Sequence, residues 1–135
     1  MSYHREIRVE FNHCDPAGIV FFPRYYEMLN SVIENFFRDV LEAPWERVTT
    51  EEGHGVPTVR LETVFRAPSR LGEVLVIALQ VVAVGRTSVD FALEAVCEGE
   101  LRLTSSHRLV WVGRDGRAAP WPAGLRATLA VLVEQ

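Results

Sequence analysis

The sequence predicts a two-layer α+β domain: an antiparallel sheet of five strands facing one long helix, with a short helix near the C-terminus. Three observations lead there. A single stretch, Tyr25 to Leu41, repeats apolar residues at three- and four-residue steps. One stretch before it and four after it either alternate apolar with polar residues or run apolar throughout. No linker, repeat or low-complexity segment divides the 135 residues, so one domain spanning 1–135 is expected.

Near the N-terminus Ile7, Val9 and Phe11 alternate with Arg8 and Glu10, the period-two pattern of a half-buried strand. Asn12 to Gly18 is a cluster of turn formers, and the apolar run Ile19 to Phe22 follows it. Pro23 then stands at a first helical position. Tyr25, Met28, Leu29, Val32, Ile33, Phe36, Phe37, Val40 and Leu41 mark one face of a helix about eighteen residues long. Glu27, Asn30, Ser31, Glu34, Asn35, Arg38 and Asp39 mark the other face, and Pro44 is expected to close the element.

The strands come next. Val59, Leu61, Thr63 and Phe65 alternate with Arg60, Glu62 and Arg66, and Val74 to Val84 is apolar on both faces. Val89, Phe91, Leu93 and Ala95 alternate with Ser88, Asp90 and Glu94; Leu101, Leu103, Leu109 and Trp111 alternate with Arg102, Thr104 and Arg108. The connections Ser69 to Gly72, Gly85-Arg86 and Glu98-Gly99-Glu100 have hairpin lengths, which predicts an antiparallel meander of these four strands. After Pro122, Leu125, Leu129 and Leu132 space a short helix. The stretch Val74 to Val84 has no polar face to offer water, so its outer side is expected to lie against another subunit.

Composition removes several chemistries. All 14 basic residues are arginine, against 18 acidic ones, for a net charge of −4. Without lysine there is neither a Schiff-base amine nor a Walker-type phosphate loop, and the acidic balance argues against a general nucleic-acid binder. Cys14 and Cys97 form no Cys-x-x-Cys and the first residues are polar, which points to a reducing cytoplasm. The apolar run Val74 to Val84, interrupted by Gln80, is about half a membrane span, so no membrane partner is expected. His4, His13, His54 and His107 lack metal-ligand spacing, and no metal or separate cofactor is expected. Cys14 beside His13 has no third orienting group, and Ser105, Ser106 and His107 lack a Gly-x-Ser-x-Gly elbow.

Asp15 is the residue on which chemistry can be built. It lies in a glycine-containing turn just ahead of the long helix, whose first N–H groups have no internal acceptors and carry the positive end of the helix dipole. Two readings stand side by side. Asp before Pro is a common turn opener or cap. A carboxylate next to such donors can also attack, or activate water toward, a carbonyl that those donors polarise.

The stretch Phe11-Asn12-His13-Cys14-Asp15-Pro16-Ala17-Gly18-Ile19-Val20-Phe21-Phe22-Pro23-Arg24-Tyr25 resembles the signature of the 4-hydroxybenzoyl-CoA thioesterase family of hot-dog-fold proteins, in which Asp-x-x-Gly-[Ile/Val]-Val leads into a central helix. Ala43-Pro44-Trp45, Gly55-Val56-Pro57-Thr58 and Gly85-Arg86-Thr87-Ser88 extend the likeness in the same order. The resemblance implies a hot-dog acyl-CoA thioesterase whose sheet wraps the helix and whose sites lie at a dimer interface, the dimers pairing into tetramers. It implies Asp15 as the catalytic carboxylate, with Gly18 in the same motif and the Phe22 backbone N–H polarising the thioester carbonyl.

Phe22 and His13 stand where a related branch acting on short aliphatic acyl-CoA carries a histidine and a second carboxylate, so the resemblance favours the aryl-CoA branch. Phe21, Phe22 and Tyr25 suit an aromatic acyl group as well as an ordinary core. The hairpin Arg86, Thr87 and Ser88 is expected to meet the pantetheine and nucleotide arm, with Thr58 and Arg60 assisting and Arg114, Arg117 and Arg126 available to phosphates. The alternatives are a thioesterase for short aliphatic acyl-CoA, a hot-dog enoyl-CoA hydratase, whose helix motif is not found, and a non-catalytic acyl-CoA-binding protein. Whether Asp15 attacks to give a mixed anhydride or deprotonates water stays open.

Overall fold

Apolar side chains at helical spacing make Phe22–Asp39 the helix α1, and Tyr25, Met28, Leu29, Val32, Ile33, Phe36 and Phe37 are all buried, as the spacing predicts. The computed structural model describes residues 2–133. Around α1 stand the strands β1 (Tyr3–Arg8), β2 (Thr58–Phe65), β3 (Val74–Val84), β4 (Ser88–Cys97) and β5 (Glu100–Val110), and the chain continues into α2 (Ala123–Val133). All neighbouring strands are antiparallel, and their order across the sheet is β1-β3-β4-β5-β2.

The core is the interface between α1 and the inward side of the sheet. Leu75, Ile77 and Leu79 of β3, Val89, Phe91 and Leu93 of β4, and Leu103 and Leu109 of β5 are buried with the helix residues. Phe91 is its aromatic centre, edge-on to Phe36 at 5.4 Å and to Phe37 at 6.4 Å. Buried residues of this kind cost about 3–5 kcal/mol when cut to alanine.

Four expectations are corrected. The first strand ends at Arg8, and Phe11 lies in a 3-10 turn, 84% exposed, because Val9 turns away to pair with the backbone at Gly72 and Glu73. Helix α1 stops at Asp39, before Pro44: the Val40 and Leu41 N–H groups both go to Phe36 O, and Glu42 takes a left-handed φ of 53°. Pro44 instead opens a wide π-type turn, Glu46–Glu51, that periodicity does not reveal.

The predicted four-strand meander holds only for β3, β4 and β5. The connection after β2 is no hairpin. It crosses to the far side of the sheet, because residues 67–72 spend their backbone groups on the segment Val9 to Val20 and on Arg102 rather than on a tight reversal. The β2 strand therefore sits at an open edge, and Val59, Leu61, Val64 and Phe65 are 44–56% exposed where half-burial was expected. Finally, Arg102 belongs to the buried set at 6% exposure, although alternation assigns it to the solvated face.

Candidate active site

Asp15 stands at the tip of a small hairpin. Asp15 N–H donates to Ile19 O at 2.9 Å, Cys14 bridges Val20, and Phe21 N–H donates to His13 O at 2.9 Å. The reversal is closed by Gly18 N–H to Asp15 O at 3.0 Å, with Gly18 at φ 78°, a left-handed conformation that a side chain disfavours. The Asp15 carboxylate accepts Ala17 N–H on Oδ1 at 2.9 Å and is half-buried. Oδ2 takes no hydrogen bond from the described residues.

The hairpin runs straight into α1. Phe21 is the residue before the helix, Phe22 its first residue, and Pro23, the second, has no N–H to offer. Arg24 N–H is taken up by Phe21 O at 2.8 Å, while Phe22 N–H has no backbone acceptor among the described residues outside the helix and sits too early for one within it. A carboxylate and an uncommitted helix-end amide thus belong to one rigid strand–turn–helix unit.

Aromatic rings cluster about the Phe22 side chain. Phe22 is edge-on to Phe21 at 5.8 Å and to Phe65 at 6.2 Å, and Phe65 lies 5.8 Å from Tyr25. Tyr25 is core, whereas Phe21, Phe22 and Phe65 are 45–58% exposed and make an open aromatic face. Phe65, at the end of β2, has no sequence cue for this role; only the sheet brings it 43 positions back to Phe22.

The arm-binding candidates lie elsewhere. Gly85 N–H to Ser88 O at 2.8 Å closes the β3–β4 hairpin, and Trp111 N–H to Thr87 O and Trp121 Nε1–H to Ser88 O brace it from outside. Arg86 is exposed. The 66–73 crossover that touches the Asp15 hairpin enters the other end of β3, whose 11 residues at ~3.3 Å each put about 35 Å between the two. Within one chain, Asp15 and Arg86 do not meet. Thr58 is exposed and borders a cleft of about 400 Å³ with Asn30, Trp45 and Thr49, and Trp45 Nε1 is buried without a hydrogen-bond partner among the described residues. Arg60 faces the outer side of the sheet opposite Arg108, which is itself paired with Asp90 at 2.7 Å. Arg114 Nε–H is spent on Glu52 O. No three His, Cys, Asp or Glu side chains converge among the described residues.

A family model described as the thioesterase-like superfamily matches residues 9–129. The chain belongs to that superfamily. It is similar to the 4-hydroxybenzoyl-CoA thioesterase of Pseudomonas sp. strain CBS-3, 38% identical over 71 residues that cover 52% of this chain and 50% of that protein. The chain thus spans about half the length of the relative it matches in sequence. In three dimensions it is similar to a hypothetical protein from Thermus thermophilus, with TM-score 0.89 and 27% identity over 98% of each chain. It is also similar to the structure of the Pseudomonas sp. strain CBS-3 enzyme, with TM-score 0.82 and 28% identity over 94% of this chain and 98% of that one. The fold is the hot-dog fold that the Asp15 motif implies.

In this thioesterase-like chain a second polar group lies between α1 and the sheet. Tyr26 OH donates to Thr63 Oγ1 at 3.1 Å, Thr63 Oγ1 and Ser105 Oγ are 2.8 Å apart, and His107 Nε2 is 2.8 Å from Ser105 Oγ. His107 is 5% exposed, and burial pushes its pKa below the usual 6.5, which favours the neutral ring. The strand alternation places Ser105 and His107 on the inward face, but nothing in the sequence links them to Tyr26. Among the described residues the hydrogen-bond partner of His107 is Ser105, not a carboxylate.

Proposed function

We propose that the chain hydrolyses an acyl-CoA thioester whose acyl group is aromatic, of the benzoyl or 4-hydroxybenzoyl type. One observation carries this reading: Asp15 and the uncommitted Phe22 N–H belong to the same hairpin–helix unit, beside an exposed face of three phenylalanines. The amide and the helix dipole polarise the thioester carbonyl. Asp15 then either attacks the carbonyl carbon or takes a proton from a water that does. The tetrahedral intermediate collapses with cleavage of the C–S bond, the sulfur leaves as a thiolate that takes up a proton, and the products are the carboxylate and free CoA. If a mixed anhydride forms, water cleaves it and returns Asp15 to its starting state.

The substrate's nucleotide arm would be gripped by the hairpin Arg86 to Ser88 of a second copy, since in one chain that hairpin and the crossover that touches the Asp15 hairpin lie at opposite ends of β3. The open β2 edge, and Val76 and Val82 at 37% and 53% exposure on the outer face, provide surfaces for such copies. The name of the Pseudomonas relative, and the aromatic character of the face around Phe22, support the aryl-CoA class. The test is release of free CoA from benzoyl-CoA, 4-hydroxybenzoyl-CoA and butyryl-CoA. Aromatic thioesters should give the higher kcat/KM. A preference for butyryl-CoA overturns the acyl class, and binding without thiol release overturns the enzyme.

A further inference from the structure

Arg102 is buried on β5 with both terminal nitrogens of its guanidinium engaged. Nη1–H groups donate to Pro68 O at 2.9 Å, Ser69 Oγ at 3.2 Å and Glu73 Oε1 at 2.8 Å, and Nη2–H donates to Glu73 Oε2 at 3.1 Å. Nε lies 2.8 Å from Glu100 Oε1, an ionic contact off the N–H direction. Glu73 Oε1 also accepts Arg70 N–H at 2.6 Å, and Arg102 O accepts the N–H groups of Arg66 and Ala67 at 2.8 and 3.2 Å. One residue thus holds the crossover between β2 and β3 along most of its length. The Arg102 charge and these hydrogen bonds hold the Glu73 carboxyl far below its ordinary 4.5, at about 2.

The crossover in turn carries the Asp15 hairpin. Val20 N–H donates to Ser69 O at 2.9 Å, Leu71 N–H donates to Gly18 O at 3.0 Å, Ile19 bridges Arg70, and Gly72 N–H donates to Val9 O at 2.8 Å. Ile19, so fixed, is the residue whose carbonyl receives Asp15 N–H. An ion pair with one partner buried and the other, Glu73, half-buried is weak evidence for stability, because an apolar pair of similar volume often serves as well. An apolar pair, however, could hold neither Pro68 O, Ser69 Oγ nor Arg70 N–H. The forked, bidentate geometry therefore matters for placement.

We infer that Arg102 and Glu73 are positioning residues for Asp15: they fix the 66–73 crossover, and through it the hairpin that sets the carboxylate against the start of α1. The inference rests on the catalytic reading of Asp15. Replacing the pair by R102M/E73L exchanges the clamp for an apolar contact without leaving a lone buried charge. In that variant kcat should fall on the order of ten- to a hundredfold, as for a reacting group displaced by about an ångström, with KM for acyl-CoA within about threefold of the parent. The Val20 and Leu71 amides should exchange hydrogen faster. R102K, which keeps the charge but not the fork, should fall between the two.

L129A, a cavity in α2 that removes none of the hydrogen bonds of the crossover, supplies the comparison of similar or greater stability loss; its kcat below the melting transition should be that of the parent. Unchanged kcat and unchanged Val20 protection in R102M/E73L overturns the inference, as does an equal kcat loss in L129A. Should the double variant not fold, R102K alone decides, parental kcat and protection overturning the inference. Amide exchange reads the clamp without any turnover. An inactive parent, or an active D15N, therefore counts against the catalytic reading and leaves the mechanical result to stand by itself.

Discussion

Asp15 Oδ1 receives the N–H of Ala17 at 2.9 Å, so one carboxylate oxygen holds the turn while the other takes no hydrogen bond from the described residues. An amide at this position keeps an oxygen acceptor for Ala17 but loses the negative charge. Asp15→Asn should therefore fold with a near-parental melting temperature and lose roughly 10²- to 10⁴-fold in kcat, the cost of a positioned acid–base group. Thiol release and thermal melting on the same sample check both halves. Parental turnover would remove Asp15 from the mechanism.

The proposed carbonyl-polarising group of Phe22 is its backbone amide, and that amide survives truncation of the ring. Phe22→Ala loses the edge-on contacts to Phe21 and Phe65, each worth about 0.5–1.5 kcal/mol. The expected outcome is a narrowed ratio of kcat/KM between aromatic and aliphatic thioesters, with kcat less affected than in Asp15→Asn. A loss as deep as that of Asp15→Asn in a folded protein would assign a role to the side chain itself.

Arg86 projects from a braced hairpin that closes on itself through Gly85 and Ser88. Arg86→Ala should raise KM for acyl-CoA more than it lowers kcat. The effect should vanish with a pantetheine thioester that lacks the nucleotide. Equal losses on both substrates would show that the guanidinium does not meet phosphate.

His107 and Glu73 contribute to the pH dependence of stability in separate windows. Burial favours the neutral form of His107, so the unfolded chain binds the extra proton once pH drops below 6.5, and stability present above that value is lost as pH falls toward the lowered folded pKa. Glu73 behaves in the same sense further down, between 4.5 and about 2, because its ionised form is the one Arg102 stabilises. Urea midpoints from pH 8 to pH 5 should decline in the parent, with a slope approaching about 1.4 kcal/mol per pH unit where one proton separates the states. His107→Gln should flatten that decline. An unaltered slope would place the titration on another group.

Local patterns were legible in the sequence. The buried face of α1, from Tyr25 to Phe37, follows from helical spacing, and Val74–Val84 is the observed β3 without change. The Asp15-Pro16-Ala17-Gly18 turn is equally local, the hydrogen bonds that close it spanning at most four residues, although Gly18 O also accepts Leu71 N–H. Phe65 was not legible as a neighbour of Phe22, nor was the separation of Arg86 from Asp15, because both depend on which strands become neighbours. The same holds for Arg102, which alternation sends to solvent.

By itself the sequence determined the periodic elements, the turn that holds Asp15 and the likeness to a thioesterase family, since spacing and turn chemistry act over a few residues. Tertiary structure alone decided that β2 closes the far edge, that Arg102 is buried against Glu73, and that Phe65 joins the aromatic face. These depend on which distant segments exclude water from one another, and on where a backbone passing between sheet edges finds partners for its N–H and C=O groups.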